Sequence, residues 1–524
     1  MRDNCNLSGR PSAPRAVLVL LATILGSSMA FIDGTAVNVA LPVMQRDLQA
    51  SMADIQWVVE AFSLFLAALI LVGGALGDRY GRKLIFVVGT ALFTVSSIAC
   101  ALSHGIVAIA VARSVQGIGS ALMAPASLAI LSACFEGDAR AKAIGTWSAA
   151  TAVTAAVGPA LGGWLVDHGG WQWIFYINAP IGAAVIILTL AFVPESLNED
   201  EQGKSLDWLG ALLATAGLGA ITFGLILAGS TGAEVSRAIT WSVVGTILLV
   251  AFVLSERTAA NPLMPLQLFR SRVFSGVNLV TLLLYGALSE ALYFVSFDMI
   301  QVHRYTPTQA GLALMPFIVL IATLSRWAGG LVAKVGTRTM LILGPTVAAI
   351  GFALFSLAGT DGSYWTTFFP GNVVAGLGMA LTVAPLTTAV MGAVDESRLG
   401  IASGINNAVS RVAGLIAIAA MSAIVVVVYA GQLDRRLGAI QAPTDVVQQV
   451  RAQSGEMAAA QIPASASTDV RNQIRGAMDE SFAISFQIAV LIGAGLAAGG
   501  ALIALLTIGD TTTKGRLASA PSDT

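Results

Sequence analysis

The chain has 524 residues, 56% of them hydrophobic and 11% charged. A soluble protein carries about 25% charged residues to cover its surface, so this chain must present most of its exterior to lipid. Its net charge of −1 excludes the basic footprint of a nucleic-acid binder. Cys5, Cys100 and Cys134 are scattered without metal-ligand spacing, so neither a metal site nor a disulfide framework is expected.

A membrane helix needs about 20 mostly apolar residues. Fourteen such stretches are predicted, at 16–42, 54–77, 84–103, 105–131, 141–166, 172–193, 207–229, 238–255, 273–300, 308–333, 339–357, 364–392, 398–428 and 482–508. Ser28-Met29-Ala30 in the first stretch resembles a signal cleavage site, but the apolar run continues to Pro42, too long for a signal core. The seventh and eighth stretches are Gly- and Ala-rich and follow a polar segment, 195–207, that holds Glu195, Glu199, Asp200, Glu201, Lys204 and Asp207. The predicted fold is all-α: a six-helix bundle at 16–193, a linker with two extra spans at 194–272, and a second six-helix bundle at 273–508. Terminal arms cover 1–15 and 509–524.

An even number of spans puts both termini on one side. Loops on that side carry most of the basic residues, among them Arg79, Arg82, Lys83, Arg140, Lys142, Arg257, Arg270, Lys334 and Arg398. Short loops opposite carry only Arg46, Arg237 and Arg304. The positive-inside rule therefore places both termini in the cytoplasm, in a bacterial inner membrane. The segment 429–481 is the one sizeable soluble stretch; Val446, Val447 and Val450 have helical spacing. It reads as a solvated linker with one or two short helices.

Between the second and third spans lies Gly74-Ala75-Leu76-Gly77-Asp78-Arg79-Tyr80-Gly81-Arg82-Lys83. Gly74 and Gly77 admit a neighbouring helix, Gly81 permits a tight turn, and Asp78 is placed to accept hydrogen bonds from a helix N-terminus. Arg79, Arg82 and Lys83 hold the loop in the cytoplasm. A worn copy runs from Gly329 to Arg338, with Gly336 matching Gly81 and Ala333 standing where Asp78 stands. This loop resembles the signature loop of the major facilitator superfamily, and the echo fits two homologous halves.

Further segments resemble the fourteen-helix drug:proton antiporter branch of that superfamily. They are Asp33-Gly34-Thr35-Ala36-Val37-Asn38-Val39-Ala40-Leu41-Pro42 and the pattern Arg113, Gln116, Gly117 and Gly119. The segment Gly158-Pro159-Ala160-Leu161-Gly162-Gly163 resembles the antiporter motif, with Thr154 where a Gly is usual. Trp171 to Phe175 with Asn178, Pro180 and Gly182 also resembles this branch, whereas Glu60 stands where many relatives have a small polar residue. The resemblance implies proton-driven export of amphipathic, cationic small molecules by alternating access. It implies no cofactor, and a periplasmic adaptor with an outer-membrane channel as partners besides lipid.

Ionisable groups inside a membrane suggest function. Asp33 is nine residues from Pro42, and Arg113 nine from His104. At ~1.5 Å per residue both lie roughly 13 Å below the outer surface. With Glu60 they are expected to form one polar cluster, and Glu290 lies at similar depth in the second half. Asp33, Glu60, Arg113 and Glu290 are the candidate proton-coupling residues, with Asp33→Asn expected to keep the fold and lose coupling. Asn38, Gln116, Asn406 and Arg411 are candidates for the substrate path. Asp298 is expected to be solvated and Arg326 to snorkel. An importer or an exporter of one native metabolite is the nearest alternative; a membrane-embedded enzyme or a sensor is more remote. The histidines His104, His168 and His303 all fall near outer helix ends, and no nucleotide-binding loop appears.

Overall fold

A computed structural model of the chain describes residues 13–197, 206–229, 235–395 and 398–509. Arg2, Cys5, Arg10, Glu199, Asp200, Glu201, Lys204, Glu396, Lys514 and Arg516 lie outside the described residues. Among the described residues, fourteen helices are long and apolar enough to cross a membrane, one for each predicted stretch. They are α1 (Ala13–Asp47), α2 (Met52–Tyr80), α3 (Arg82–Leu102), α4 (Ile106–Cys134), α5 (Gly137–Gly169), α6 (Asn178–Phe192) and α7 (Trp208–Ala228). After them come α8 (Val235–Thr258), α9 (Arg272–Phe297), α10 (Pro307–Ala313 and Met315–Val335, joined through Leu314) and α11 (Thr337–Leu354). The last are α12 (Phe369–Gly392), α13 (Leu399–Leu437) and α14 (Thr468–Thr507). The protein is an all-helical, multi-pass membrane protein: two six-helix bundles with α7 and α8 between them in the chain. Both ends of the described chain lie on one side, here termed the terminal face; the opposite side is the far face.

Local chemistry sets the helix starts. Ser51 and Asp54 form a capping box on α2, and Thr306 and Gln309 form another on α10, where Pro307 opens the helix. Asp207, Ser271 and Ser467 cap α7, α9 and α14 with side-chain oxygens. One glycine alone joins α2 to α3 and one joins α10 to α11: Gly81 at φ +116° and Gly336 at φ +89°. The worn second copy of the loop therefore keeps the backbone geometry of the first, because only glycine adopts it without strain.

Small residues govern the packing, as expected in lipid, where helices gain from close van der Waals approach. A Cβ on Gly158 or Gly162 would strike Thr35 or Ala36 of α1. One on Gly163 would strike the Pro307 backbone, and one on Gly311 the Pro159 backbone. The segment from Gly158 to Gly163 thus presses α5 against α1 within its own half and against α10 of the other half. Around this seam the far face is sealed. Gln301 donates to Gln45 at 2.7 Å, and Asp167 accepts from the Thr308 backbone N–H at 3.0 Å and from the Thr308 hydroxyl.

The segment after α13 adds to the seal. α13 runs on to Leu437 and α14 begins at Thr468, so the non-spanning stretch is shorter than the sequence suggested. It contains a short helix, Thr444–Ala452, whose Val446 and Val450 are buried. Met457 is buried too, and Gln45 of α1 donates to the Glu456 carbonyl at 3.2 Å. This segment is a packed cap over the far face and not a solvated linker, because its apolar residues find partners in both halves.

At the terminal face the halves part. α5 exposes Lys142, Gly145, Ser148, Ala149 and Ala152, the continuation of the face that touches α10 at the other end. Added side chains on Gly77, Gly145, Gly330 and Gly400 would meet nothing within 4 Å. α7 packs along the line where α2 and α13 meet, and Leu64, Ala68, Leu218 and Leu415 cluster there, while α8 packs on α7 and turns most of its surface outwards. The cavity therefore opens towards the terminal face.

Asp167→Ala removes the acceptor that holds α5 to the start of α10. Hydrogen bonds to a charged group contribute about 1.5–3 kcal/mol, less where exposed. The far face should open roughly three- to tenfold more often, read as faster thiol labelling of a cysteine placed at buried Leu314. Unchanged labelling would show that the seam does not depend on this contact.

Candidate functional site

The polar centre of the first half is built on α1, α2 and α4. Asp33, Arg113 and Gln116 are all buried. The Arg113 guanidinium pairs with the Asp33 carboxylate, donates to Gln116 Oε1 at 2.8 Å, and through Nε donates to the Val58 carbonyl at 2.8 Å. Gln116 Nε2 donates to Asp33 Oδ1 at 2.9 Å. The guanidinium carbon also lies 4.3 Å from the Phe62 ring centre, a cation–π contact. Asp33, Arg113 and Gln116 leave no fully buried polar atom without a partner, which is what makes a buried charge pair tolerable.

Glu60 does not join this cluster, contrary to the sequence expectation. Both its carboxylate oxygens are buried without a hydrogen-bond partner. The Gln56 side chain, one helical turn back on α2, is its polar neighbour but makes no well-aligned hydrogen bond to it, and Tyr293 of α9 interacts with it electrostatically across the junction of the halves. The α2 helix explains the split: Val58 and Phe62 face Arg113, whereas Glu60 projects from a different face. Glu290 on α9 is equally buried and unpartnered, lying against Gly493 of α14. Asp298 is buried, not solvated, with His303 Nε2 3.4 Å from its carboxylate, because the π-helical turn at the end of α9 tucks it inwards.

The expected substrate path breaks up in the structure. Gln116 is locked in the Asp33 network. Asn406 turns to α9, donating to Asn278 at 3.1 Å and Thr281 at 2.8 Å, so it ties two helices together. Asn38 is half-buried. Arg411 alone of the four is exposed. Arg326 is exposed as well.

The signature loop differs in one detail. Asp78 pairs with Arg82 at 2.7 Å within the loop. The acid at the start of α3 is Glu195 from the end of α6, which accepts from the backbone N–H of Lys83 at 3.0 Å and of Leu84 at 3.2 Å. Lys83 in turn donates to the Leu190 carbonyl at 2.9 Å. Sequence reasoning counted Glu195 only as part of a polar stretch; its position just past an apolar span was the available signal.

A sequence-family model described as Major Facilitator Superfamily matches residues 23–418. The chain belongs to this superfamily. It is 35% identical over 434 residues to the "Multidrug resistance protein Stp" of Mycobacterium tuberculosis, covering 80% of this chain and 78% of that one. It is 32% identical over 409 residues to the "Tetracenomycin C resistance and export protein" of Streptomyces glaucescens, covering 78% and 74%. Among solved structures, a bacterial homolog of the human lysosomal transporter Spinster, inward-facing and occupied, superposes with a TM-score of 0.68. That match covers 95% of this chain and 98% of the other at 16% identity, and it establishes the fold. The fourteen spans place the chain in the fourteen-helix branch of the superfamily.

Within this superfamily member the Asp33 pair has a consequence the sequence did not predict. Removing one partner of a buried pair leaves an uncompensated charge and costs about 3–5 kcal/mol. Asp33→Asn should therefore lower stability by that order, seen as a reduced thermal midpoint in detergent. The earlier expectation of an intact fold does not follow from this geometry. An unaltered midpoint would rule the pair out as a structural lock.

Proposed function

We propose that the protein is a proton-driven exporter of amphipathic drugs, working by alternating access from the bacterial inner membrane, and that it is not an enzyme. Both termini are cytoplasmic on this reading, since basic residues crowd the terminal face. The cavity then opens to the cytoplasm, and the conformation is inward-facing. The far face is periplasmic, and a periplasmic adaptor serving an outer-membrane channel would meet the cap around Thr444–Ala452.

The observation that carries the proton-coupled part is the pair of buried carboxyl groups without partners, Glu60 and Glu290. An ionised carboxylate buried without hydrogen bond or counter-ion costs several kcal/mol, and a bound proton removes that cost. Glu60 and Glu290 are therefore the proton carriers, with the Asp33–Arg113 pair holding the helices around them. The two relatives named for resistance support a drug as cargo. Cationic cargo, which the resemblance implies, would need a carboxylate in the cavity; neither acid reaches it here, so direct pairing belongs to another state of the cycle.

Glu60→Gln copies the protonated form in shape and hydrogen-bonding. It should reduce pH-gradient-driven efflux from proteoliposomes at least about tenfold while leaving thermal stability unchanged. Glu290→Gln is the parallel case. Normal coupled efflux in both variants would sink the assignment.

The signature loop supplies the gate. With the terminal face open, Asp78 pairs with Arg82 across the Gly81 turn, a partly exposed ion pair worth about 0–1 kcal/mol. On closure it would meet the start of α13, where the helix dipole favours an anion by up to about 2 kcal/mol. Asp78→Asn should raise the inward-facing population by up to roughly thirtyfold and slow turnover with little change in substrate affinity. Spin labels spanning the terminal face measure this directly. Unchanged distances alongside lost transport would remove Asp78 from the gate.

A further inference from the structure

Asp33, Glu60 and Glu290 are acids deep within the spans, and Asp298 follows the far end of α9. All four are buried, at 0% exposure. The exposed charge set deep in the second half is Arg411. It lies twelve residues into α13 from Leu399, about 18 Å from the terminal face at ~1.5 Å per residue. That depth is beyond the reach of a side chain snorkelling to the interface, and the positive-inside bias acts on loops and helix ends.

Gly400, Asn407 and Arg411 are exposed and, at intervals of seven and four, share one face of α13. Gly404 lies between them on that face, and a Cβ there would sit 3.0 Å from Leu71 of α2. The stripe therefore looks across the cleft between the halves, and not at lipid. Arg411 makes no hydrogen bond or ion pair within the described residues; its electrostatic neighbour is Tyr285 of α9. Asn407 bonds only to the Ser403 carbonyl one turn back, at 3.1 Å, which leaves its amide oxygen free. At the mouth of the cleft the exposed face of α5 begins with Lys142, and α13 begins with exposed Arg398.

An isolated guanidinium at this depth is costly unless a counter-ion joins it. Its planar fork matches a carboxylate or sulfonate. We infer that Arg411, with Tyr285 and Asn407 beside it, is a recognition site for an acidic group, so that amphipathic organic acids are a cargo class of this protein. The mouth carries Lys142 and Arg398 but also exposed Asp395 and Glu136, so selection rests on Arg411, which receives the acid while the apolar walls receive the rest of the molecule. The word cargo rests on the export reading; the binding site does not.

Two probes with the same ring and linking methylene separate charge from shape: 1-naphthylacetate and 1-naphthylmethylammonium. Binding to the purified full chain is measured by tryptophan quenching, and export by pH-driven transport in proteoliposomes. The acid should bind at least about fivefold more tightly than the amine. Arg411→Gln should erase that preference and Arg411→Lys should keep part of it. Equal affinities in the native protein, or a preference that survives Arg411→Gln, would overturn the site. If Arg411→Gln fails to fold, Asn407→Cys in a chain lacking Cys5 and Cys134 decides instead. Its labelling rates with an anionic and a cationic methanethiosulfonate, each normalised to 2-mercaptoethanol, should favour the anionic reagent; a preference for the cationic one refutes the proposal. Arg411-dependent binding of the acid without its export would leave the site standing and remove the export reading. Coupled export of drugs with no preference for the acid would do the reverse.

Discussion

At the far face two helices from different halves meet backbone to backbone. Gly163 admits Pro307 of α10, and Gly311 admits Pro159 of α5, while Gly158 and Gly162 bring α1 onto the other side of α5. Lipid provides no hydrophobic drive for helices to associate, so the closeness allowed by missing side chains must supply much of the contact energy. Any residue larger than glycine at these crossings would push the halves apart where they now touch. The rest of the conformation follows from that seam. Because α5 and α10 cross tightly at one end, they diverge towards the other, and the divergence is the cavity. α2 and α13 meet along one side of the cleft and the extra helix α7 covers their junction, so the cavity communicates mainly with the terminal face.

Buried charge is handled in two ways. Arg113 gives its donors to Asp33, Gln116 and the Val58 carbonyl, so the network ties α1, α2 and α4 into one unit. Such a network is stable only when complete, since loss of a single member strands a charge. Glu60 and Glu290 have no such company. Their burial is tolerable when each holds a proton, and that requirement makes them sensitive to whichever side of the membrane can reach them.

Composition and apolar runs made the spans legible, because a bilayer requires long uninterrupted helices and permits little else. The signature loop was legible for a related reason: Gly81 and Gly336 mark turns that no other residue makes easily. Depth along a helix could also be counted, and it correctly put Asp33 level with Arg113. What depth cannot supply is the direction in which a side chain points. Glu60 lies near the Asp33 network in height but faces Tyr293, and Asn406 lies near Arg411 in sequence but is tied to Asn278 and Thr281 while Arg411 stays exposed. The buried cap after α13 was missed because its apolar residues are few. Their burial depends on surfaces from both halves that no local window contains.

These directions bear on how one chain could exchange a proton for a drug. Glu60 sits where α2 meets Tyr293, whose hydroxyl lies 3.9 Å from the sulfur of Met52, within the apolar cluster that seals the far face. Arg411 sits in the cleft that opens at the other end. Taking the seam apart would uncover the surroundings of Glu60, and the same rocking motion would close the cleft over Arg411. A single rigid-body movement would then open one site as it closes the other. Antiport requires that alternation, because a state with both sites open would let protons cross without cargo. On the proposed reading, the separation of the acids from the arginine is therefore part of the coupling, and a chain with both charges in one cavity would lose it.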